Sequence, residues 1–246
     1  MYHSITIGDK NTWGHWHLYP ESRPLVVPPK RKTNYVDVPG MNGTLDFSEV
    51  LTGYPTYEMR EGTWTFYVEN GYGEWFERYT EIMNYLQQGK KYQVVLEDDP
   101  DHYYEGYLSV NQWQSVKDYS KIAIDYKMFP YKYWAEPSRE VCPLAPGDWS
   151  DPWIVTSISR SKLGLMPVTP EASINYAGLS DIEIVFSNYE LGINSTVTVA
   201  QGVQHIAFPS FVMTKLNNRV VNHFELRQFS TSNDIEVEFI WRNGDF

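Results

Sequence analysis

The strongest constraint on the fold is that a single helical segment lies among segments with the alternation of β-strands. In EWFERYTEIMNYLQQGKK (74–91), apolar residues recur at spacings of three and four, and Gly89 stands where a helix would end. The segment before it, GTWTFYVEN (62–70), alternates, and so do three segments after it: YQVVLEDD, YYEGYLSVNQWQSV and YSKIAIDYKMFPYKYW. Strands, one helix and then more strands predict an antiparallel sheet with a helix packed on one face.

The last part of the chain contains short alternating segments separated by Gly, Asn, Ser or Asp: ASINYAG, DIEIVFSN, STVTVAQG, FELRQF and DIEVEFIWRNG. None has a helical period, so residues 154–246 are predicted to form a β-sandwich or jelly roll. Before them, residues 136–153 contain four prolines and little alternation, which predicts a linker between two domains. The predicted fold is mainly β, with an N-terminal β-sandwich or barrel carrying one α-helix (residues 1–135) and a C-terminal β-sandwich.

A further local signal is the glycine-rich turn within TNYVDVPGMNGTLDFSEVLTG (33–53). Apolar residues occupy every second position on both sides of this turn, as expected for strands with one apolar face. Asn and Gly in PGMNG tolerate the positive φ values that tight turns need. The segment is therefore predicted to be a β-hairpin. Its apolar positions are Val36, Val38, Leu45 and Phe47.

Three carboxylates of this segment, Asp37, Asp46 and Glu49, raise the question of an active site. Two carboxyls on one strand face repel each other, which raises the pKa of one and creates an acid–base pair of the kind glycosidases use. No partner base or pocket-forming motif lies near them in the sequence. Charged residues on an edge hairpin also discourage aggregation between strands. The favoured interpretation is a solvated polar face, and a wall-degrading enzyme is the weakest alternative.

Other groups of polar residues match no site in full. WGHWH places His15 and His17 two residues apart, but zinc sites use three or four ligands and no further ligand follows at motif spacing. LEDDPDHYYEG (96–106) crowds carboxylates together, but it lacks the EF-hand glycine, and Pro100 favours a turn between strands. No nucleophile-elbow, Walker or dinucleotide-binding motif is present. The sequence predicts no catalytic residue, no cofactor and no metal site, and the chain is predicted not to be an enzyme.

Charge and cysteine content exclude further classes of protein. The chain has 31 acidic residues against 20 Lys and Arg, a net charge of −11, and PPKRK (28–32) is its only basic cluster. A phosphate-binding module is therefore excluded. Cys142 is the only cysteine, which excludes an intrachain disulfide and C-x-x-C motifs. No signal-peptide pattern or apolar run of about 18–20 residues is present, which predicts a soluble protein with no membrane span, made in a reducing cytoplasm.

Several separate stretches within residues 4–133, taken in order, resemble the start of the distal tail proteins (Dit) of siphophages that infect Gram-positive bacteria. Their order makes the resemblance more specific than any one motif. The matching stretches are NTW (11–13), SRP (22–24), VDVPGMNGTLDFSEVLTG (36–53), REGTW (60–64), LEDDPDHYYEGYLSVNQW (96–113) and SKIAIDYKMFPYKY (120–133).

The resemblance implies a structural role in a phage or prophage tail. The N-terminal domain would be tail-tube-like, and the C-terminal domain would be a galectin-like β-sandwich. Six copies would form a hexameric ring, a baseplate hub that joins the major tail tube protein to a tail-associated tip protein, either a tail lysin or a fibre. DNA would pass through the ring without specific binding. The chain would be synthesised in the cytoplasm of the bacterial host and located at the virion tail tip.

In such a ring the hairpin is the candidate inter-subunit or channel-facing element. Its candidate residues are Asp37, Pro39, Gly40, Asn42, Gly43 and Asp46. A carbohydrate-binding or host cell-surface adhesion module remains the alternative, because the predicted C-terminal sandwich is rich in aromatic residues.

Overall fold

The computed structural model of this chain contains two compact units, which are Met1–Ala135 together with Phe246, and Glu136–Asp245. The first unit ends at the residue where the sequence analysis places the end of the N-terminal domain. The residues described are 3–68, 75–86, 89–115, 119–144, 153–157, 163–177, 181–188, 193–207, 213, 223–228 and 235–246.

Antiparallel pairing builds the main sheet of the first unit. The elements of this unit are β1 (Ile5–Ile7), β2 (Lys10–Asn11), β3 (Leu18–Pro20), β4 (Tyr35–Asp37), β5 (Thr44–Asp46), β6 (Arg60–Val68), α1 (Trp75–Leu86), β7 (Tyr92–Leu96), β8 (Asp99–Ser115), β9 (Ser120–Met128) and β10 (Lys132–Trp134). The strands of the main sheet run in the order β2-β1-β7-β8-β9-β6-β3, β10 pairs with the start of β8, and β4 and β5 form a separate two-stranded sheet.

One face of this sheet and the helix share a core. Alternate residues of β6 and β9, such as Phe66 and Ile124, are fully buried, and Ile82 and Leu86 of α1 belong to the same cluster. Burying a side chain of this size contributes about 1.5–3 kcal/mol. The predicted antiparallel sheet with one helix on a face is therefore confirmed. Among the described residues, no helix is long and apolar enough to cross a membrane.

The segment YSKIAIDYKMFPYKYW, predicted as one strand, forms two strands. Strand β9 ends at Met128, and β10 begins at Lys132 and pairs Tyr133 with Tyr103 of β8. Pro130 lies in the break between them. Proline has no backbone N–H to donate to a neighbouring strand, which explains why the continuous alternation gives two elements.

A proline-rich segment, residues 20–32, is extended and irregular, as its prolines predict. Side chains of β6 hold it against the sheet. The indole N–H of Trp64 donates to the Leu25 carbonyl at 2.9 Å, and the buried Arg60 guanidinium donates to the carbonyls of Val27 and Pro130. Burial lowers the pKa of Arg60. These bonds fix the point from which the hairpin begins.

The second unit contains the strands β11 (Ser138–Leu144), β12 (Trp153–Ser157), β13 (Glu171–Tyr176), β14 (Ile182–Asn188), β15 (Ile193–Val199), β16 (Gly202–Ala207), β17 (His223–Gln228) and β18 (Ile235–Trp241). They form two antiparallel four-stranded sheets, ordered β11-β18-β13-β16 and β12-β17-β14-β15. Ile174, Val237 and Phe239 of one sheet form a cluster with Val199 of the other, so the sheets face each other across one core. The predicted β-sandwich is confirmed. Strand β19 (Gly244–Asp245) follows β18 and belongs to neither of these two sheets.

The prediction that residues 136–153 form a linker is wrong for Ser138–Leu144. These residues are strand β11, which pairs along its whole length with β18. Pro143 is compatible with this pairing because β11 is the edge strand of its sheet. Residues 145–152 lie outside the described part of the chain.

Gly106 of β8 provides a test of the central sheet. It pairs with Tyr92 on one side and Met128 on the other. A Cβ added at this position would overlap the Lys127 carbonyl oxygen and lie 2.6 Å from Met128 Cα, so the backbone of β9 would have to move. We expect Gly106→Ala to lower the free energy of unfolding by about 1–3 kcal/mol in a denaturant titration.

Gly14→Ala is the matched control. An added Cβ there would lie 3.6 Å from its nearest neighbour, Asn11 Oδ1, which is an ordinary contact. We expect a change within about 0.5 kcal/mol for this variant. Equal stability of the two variants would contradict the close approach of β8 and β9.

Candidate functional site

The hairpin predicted from the sequence is present, and residues 33–53 are called the arm below. Its strands pair Tyr35 with Asp46, Val36 with Leu45 and Asp37 with Thr44. Gly40 and Gly43 in the connecting turn have φ values of +85° and +83°, and nothing lies within 4 Å of a Cβ added to either. The positive φ values, rather than a lack of space for a side chain, explain why glycine occupies both positions.

A short stem joins the arm to the rest of the unit. The Lys32 N–H donates to the Thr56 carbonyl at 2.9 Å, and the Glu58 N–H donates to the Lys30 carbonyl at 2.8 Å. The Arg31 guanidinium pairs with the Glu49 carboxylate at 2.5 Å. Glu49, one of the three carboxylates considered above, is therefore neutralised by Arg31. An exposed pair of this kind contributes at most about 1 kcal/mol.

The two faces of the arm differ in character. The register places Val36, Val38, Leu45 and Phe47 on one face, and Tyr35, Asp37, Thr44 and Asp46 on the other. All eight of these residues are exposed, and Leu51 near the end of the arm is 98% exposed. The arm thus presents an apolar face, defined by Val36, Val38, Leu45 and Phe47, that is not buried within the chain.

All six candidate residues, Asp37, Pro39, Gly40, Asn42, Gly43 and Asp46, are exposed in the arm. Asp37 and Asp46 lie diagonally on the polar face, not opposite each other, because each pairs with an uncharged residue. Hydrogen bonds from the Ser48 hydroxyl and then the Ser48 N–H lower the pKa of Asp46. An acid–base pair needs a raised pKa, so the shift has the opposite sign.

The remaining predicted clusters of polar residues take part in local pairing. His15 and His17 lie in a turn after β2, where His15 Nδ1 accepts from the Asn11 N–H. Asp98 lies in the predicted turn between β7 and β8, and hydrogen bonds from Arg23 and His3 lower its pKa. Asp99 pairs with Lys132 and His102. Among the described residues, no three His, Cys, Asp or Glu side chains are arranged to hold a metal ion.

A second exposed apolar surface, called the aromatic patch below, was missed by the sequence analysis. Trp75, Phe76 and Tyr79 of α1 gather around Trp113 near the end of β8, with ring-centroid distances to Trp113 of 6.1, 6.5 and 4.7 Å. Phe76 is 67% exposed and Trp113 is 41% exposed. The signal in the sequence is Phe76 itself, a large apolar residue outside the apolar period of the helix.

The described elements form a mainly β fold with one helix, which lies in the first unit. The crystal structure of SPP1 Dit (gp 19.1), described as a paradigm of the hub adsorption apparatus in phages that infect Gram-positive bacteria, matches with a TM-score of 0.61 and 10% sequence identity. The match covers 97% of this chain and 98% of the SPP1 chain. This likeness establishes a Dit-like fold. No family model matches the sequence, and a comparison with curated proteins finds no match.

The state of Asp46 can be measured directly. We expect an NMR titration of its carboxyl carbon to give a midpoint below the ordinary aspartate value, because Ser48 donates to the ionised form. Ser48→Ala removes the hydroxyl donor and should raise the midpoint. Because the pKa of Asp46 is lower in the folded chain than in the unfolded chain, these bonds stabilise the arm at pH values above the unfolded-state pKa. This stabilisation is lost as the pH falls through the folded-state pKa.

Thr52→Ala is the control, because the Thr52 hydroxyl donates to the Tyr54 carbonyl instead. It should leave the midpoint of Asp46 unchanged. A midpoint above the ordinary aspartate value in the wild-type chain would contradict this description and favour the acid–base interpretation.

Proposed function

We propose that this chain is a structural hub protein of a phage tail tip. Six copies form a ring that joins the tail tube protein above to a tail-associated tip protein below, with a channel through which DNA passes. The observation that carries the proposal is the apolar face of the arm, because an exposed apolar surface of this kind is typical of a protein–protein interface, and the chain has a Dit-like fold. The likeness to SPP1 Dit over nearly the whole of both chains supports the same role.

The energetics of the arm favour assembly. A two-stranded hairpin is only marginally stable in water by itself, and a contiguous exposed apolar surface marks a site of interaction. Covering Val36, Leu45 and Phe47 contributes on the order of 1 kcal/mol for each side chain that is partly exposed in the single chain. In a closed ring this contribution recurs at each interface, which makes the ring more stable than one contact would be.

The polar face of the arm suits a conduit for DNA. Asp37 and Asp46 lie on this face, and the chain carries a net charge of −11. Phosphate binding strengthens with each basic contact, so an acidic surface repels DNA instead of holding it. With its apolar face on a neighbouring subunit, the arm leaves these carboxylates for the channel or for solvent. The protein acts at the virion tail tip as a non-enzymatic component, after synthesis in the host cytoplasm.

A carbohydrate-binding or adhesion role is the second candidate. The observation that favours it is the aromatic patch, because exposed rings such as Trp113 and Phe76 can stack on sugars. This role predicts a monomer that is retained on immobilised cell-wall polysaccharide. Loss of retention in Phe76→Lys, with the fold intact, would favour this role over the hub.

Assembly of the purified chain tests the proposal. We expect negative-stain images of rings, and a mass in solution about six times the 28.7 kDa of one chain, either alone or after addition of the tail tube protein. Leu45→Lys should raise the dissociation constant at least about 100-fold, because it places a charge on the apolar face. Circular dichroism should show an unchanged fold, since Leu45 lies on the exposed arm.

Thr44→Lys is the matched control. It introduces the same side chain one residue away, on the polar face and opposite Asp37. We expect rings to form normally with this variant. Rings that are equally stable in both variants would show that the apolar face is not an interface. A wild-type chain that stays monomeric with and without the tube protein would contradict the hub.

A further inference from the structure

A closed ring built from identical chains needs two different surfaces on each chain, one that docks and one that receives. The arm supplies a surface that docks. The receiving surface must lie elsewhere on the chain, be exposed in the single chain, and be apolar enough to cover aliphatic side chains. Within the described residues of the first unit, the aromatic patch meets these conditions.

The aromatic patch adjoins the core beneath the helix and continues it to the surface. The buried residues of α1 are Ile82 and Leu86, which lie in its C-terminal half. Trp75 and Tyr79, in its N-terminal half, are partly buried against that core, whereas Phe76 is 67% exposed and contacts Trp113, which is 41% exposed. Natural monomers seldom leave several large rings together at the surface without a partner.

The arm and the aromatic patch do not cover each other within one chain. Val36, Leu45 and Phe47 of the arm are exposed, and so are Phe76 and Trp113 of the patch. Aliphatic side chains and one phenylalanine facing a group of rings form the type of contact found at the centre of protein interfaces. Each surface can therefore cover the other, and a second copy of the chain can bring the two surfaces into contact.

The charges beside the two surfaces are complementary. Lys30 and Lys32 at the base of the arm are exposed, and neither forms an ion pair with the described residues. They belong to the only basic cluster of a chain whose net charge is −11. Glu77 follows Phe76 in the first turn of α1 and is exposed. A basic arm base facing Glu77 offsets part of the repulsion between acidic subunits and orients the contact, although Arg78 follows Glu77 in the helix.

We infer that the apolar face of the arm of one subunit docks onto the aromatic patch of the next subunit. The inference rests on the proposed ring and names its two contact surfaces. It assigns Phe76 and Trp113 a role as the receiving surface for a second copy of this chain.

Two surface variants separate the docking surface from the receiving surface. Leu45→Lys leaves the aromatic patch unchanged but places a charge on the apolar face of the arm. Phe76→Lys leaves the arm unchanged but places a charge on the aromatic patch. Each should fail to form rings while remaining folded. Their equimolar mixture should give a one-to-one complex by sedimentation velocity, because each pair of molecules retains one intact interface and cannot extend further. Asn84→Lys, at an exposed position farther along the same helix, should form rings normally.

Crosslinking gives a second readout in a Cys142→Ser background. A chain with Val38→Cys and Glu77→Cys keeps the large side chains of both surfaces, and a short bismaleimide should convert it to a ladder from dimer to hexamer on a denaturing gel. A chain with Thr44→Cys and Glu77→Cys should give little crosslinked product, because Thr44 lies on the polar face.

The outcomes distinguish the inference from the proposed function. Three outcomes would overturn the docking inference and leave the proposed ring in place. Phe76→Lys could form normal rings, the wild-type interface could form rings that give no crosslinked ladder, or Phe76→Lys could lose retention on wall polysaccharide without losing assembly. Loss of rings in both variants, with the one-to-one complex or the crosslinked ladder, would support it. Failure of the wild-type chain to form rings with or without the tube protein would overturn the hub, and the inference with it.

Discussion

Alternating burial along the antiparallel strands β6 and β9 is the constraint on which the first unit depends. Successive side chains point to opposite faces, so Phe66 and Ile124 lie with α1 on one side while polar residues face the other. A shift of one residue in register would turn each buried side chain to water, which is why this register is strongly specified. Trp64 of the same sheet holds the proline-rich segment through the Leu25 carbonyl, so the packing of the sheet also determines where the arm begins.

The arm is the part of this unit that the core does not cover. Its turn glycines and stem hydrogen bonds give it a defined shape, but they leave Val36 and Leu45 at the surface. Order in such a hairpin is stabilised by whatever binds its apolar face, so formation of the arm and the proposed assembly would be thermodynamically linked. In the proposed ring, this linkage would give a segment rich in carboxylates a structural role. Asp46 is held ionised by Ser48, and Glu49 pairs with Arg31, so neither is set up for acid catalysis.

Sequence patterns predicted the elements whose own alternation or period is clear, namely helix α1, the arm and the strands around them. They failed where a neighbouring strand decides the outcome. Strand β11 was predicted as linker because Pro143 and weak alternation hide an edge strand that β18 holds by pairing. The diagonal placement of Asp37 and Asp46 depends on register, which residue types alone leave open. The aromatic patch joins Phe76 to the distant Trp113, a contact that only the folded sheet creates.

The most direct measurement is hydrogen–deuterium exchange at the backbone amides of residues 33–53, at protein concentrations above and below the dissociation constant of the ring. If another subunit covers the apolar face, the paired amides of β4 and β5 will exchange slowly in the assembled protein and rapidly in the dissociated chain. The amides of β6 and β9 will be equally protected in both, because their protection comes from the core of a single chain. Exchange of the arm at the same rate at every concentration would contradict the claim that assembly covers it.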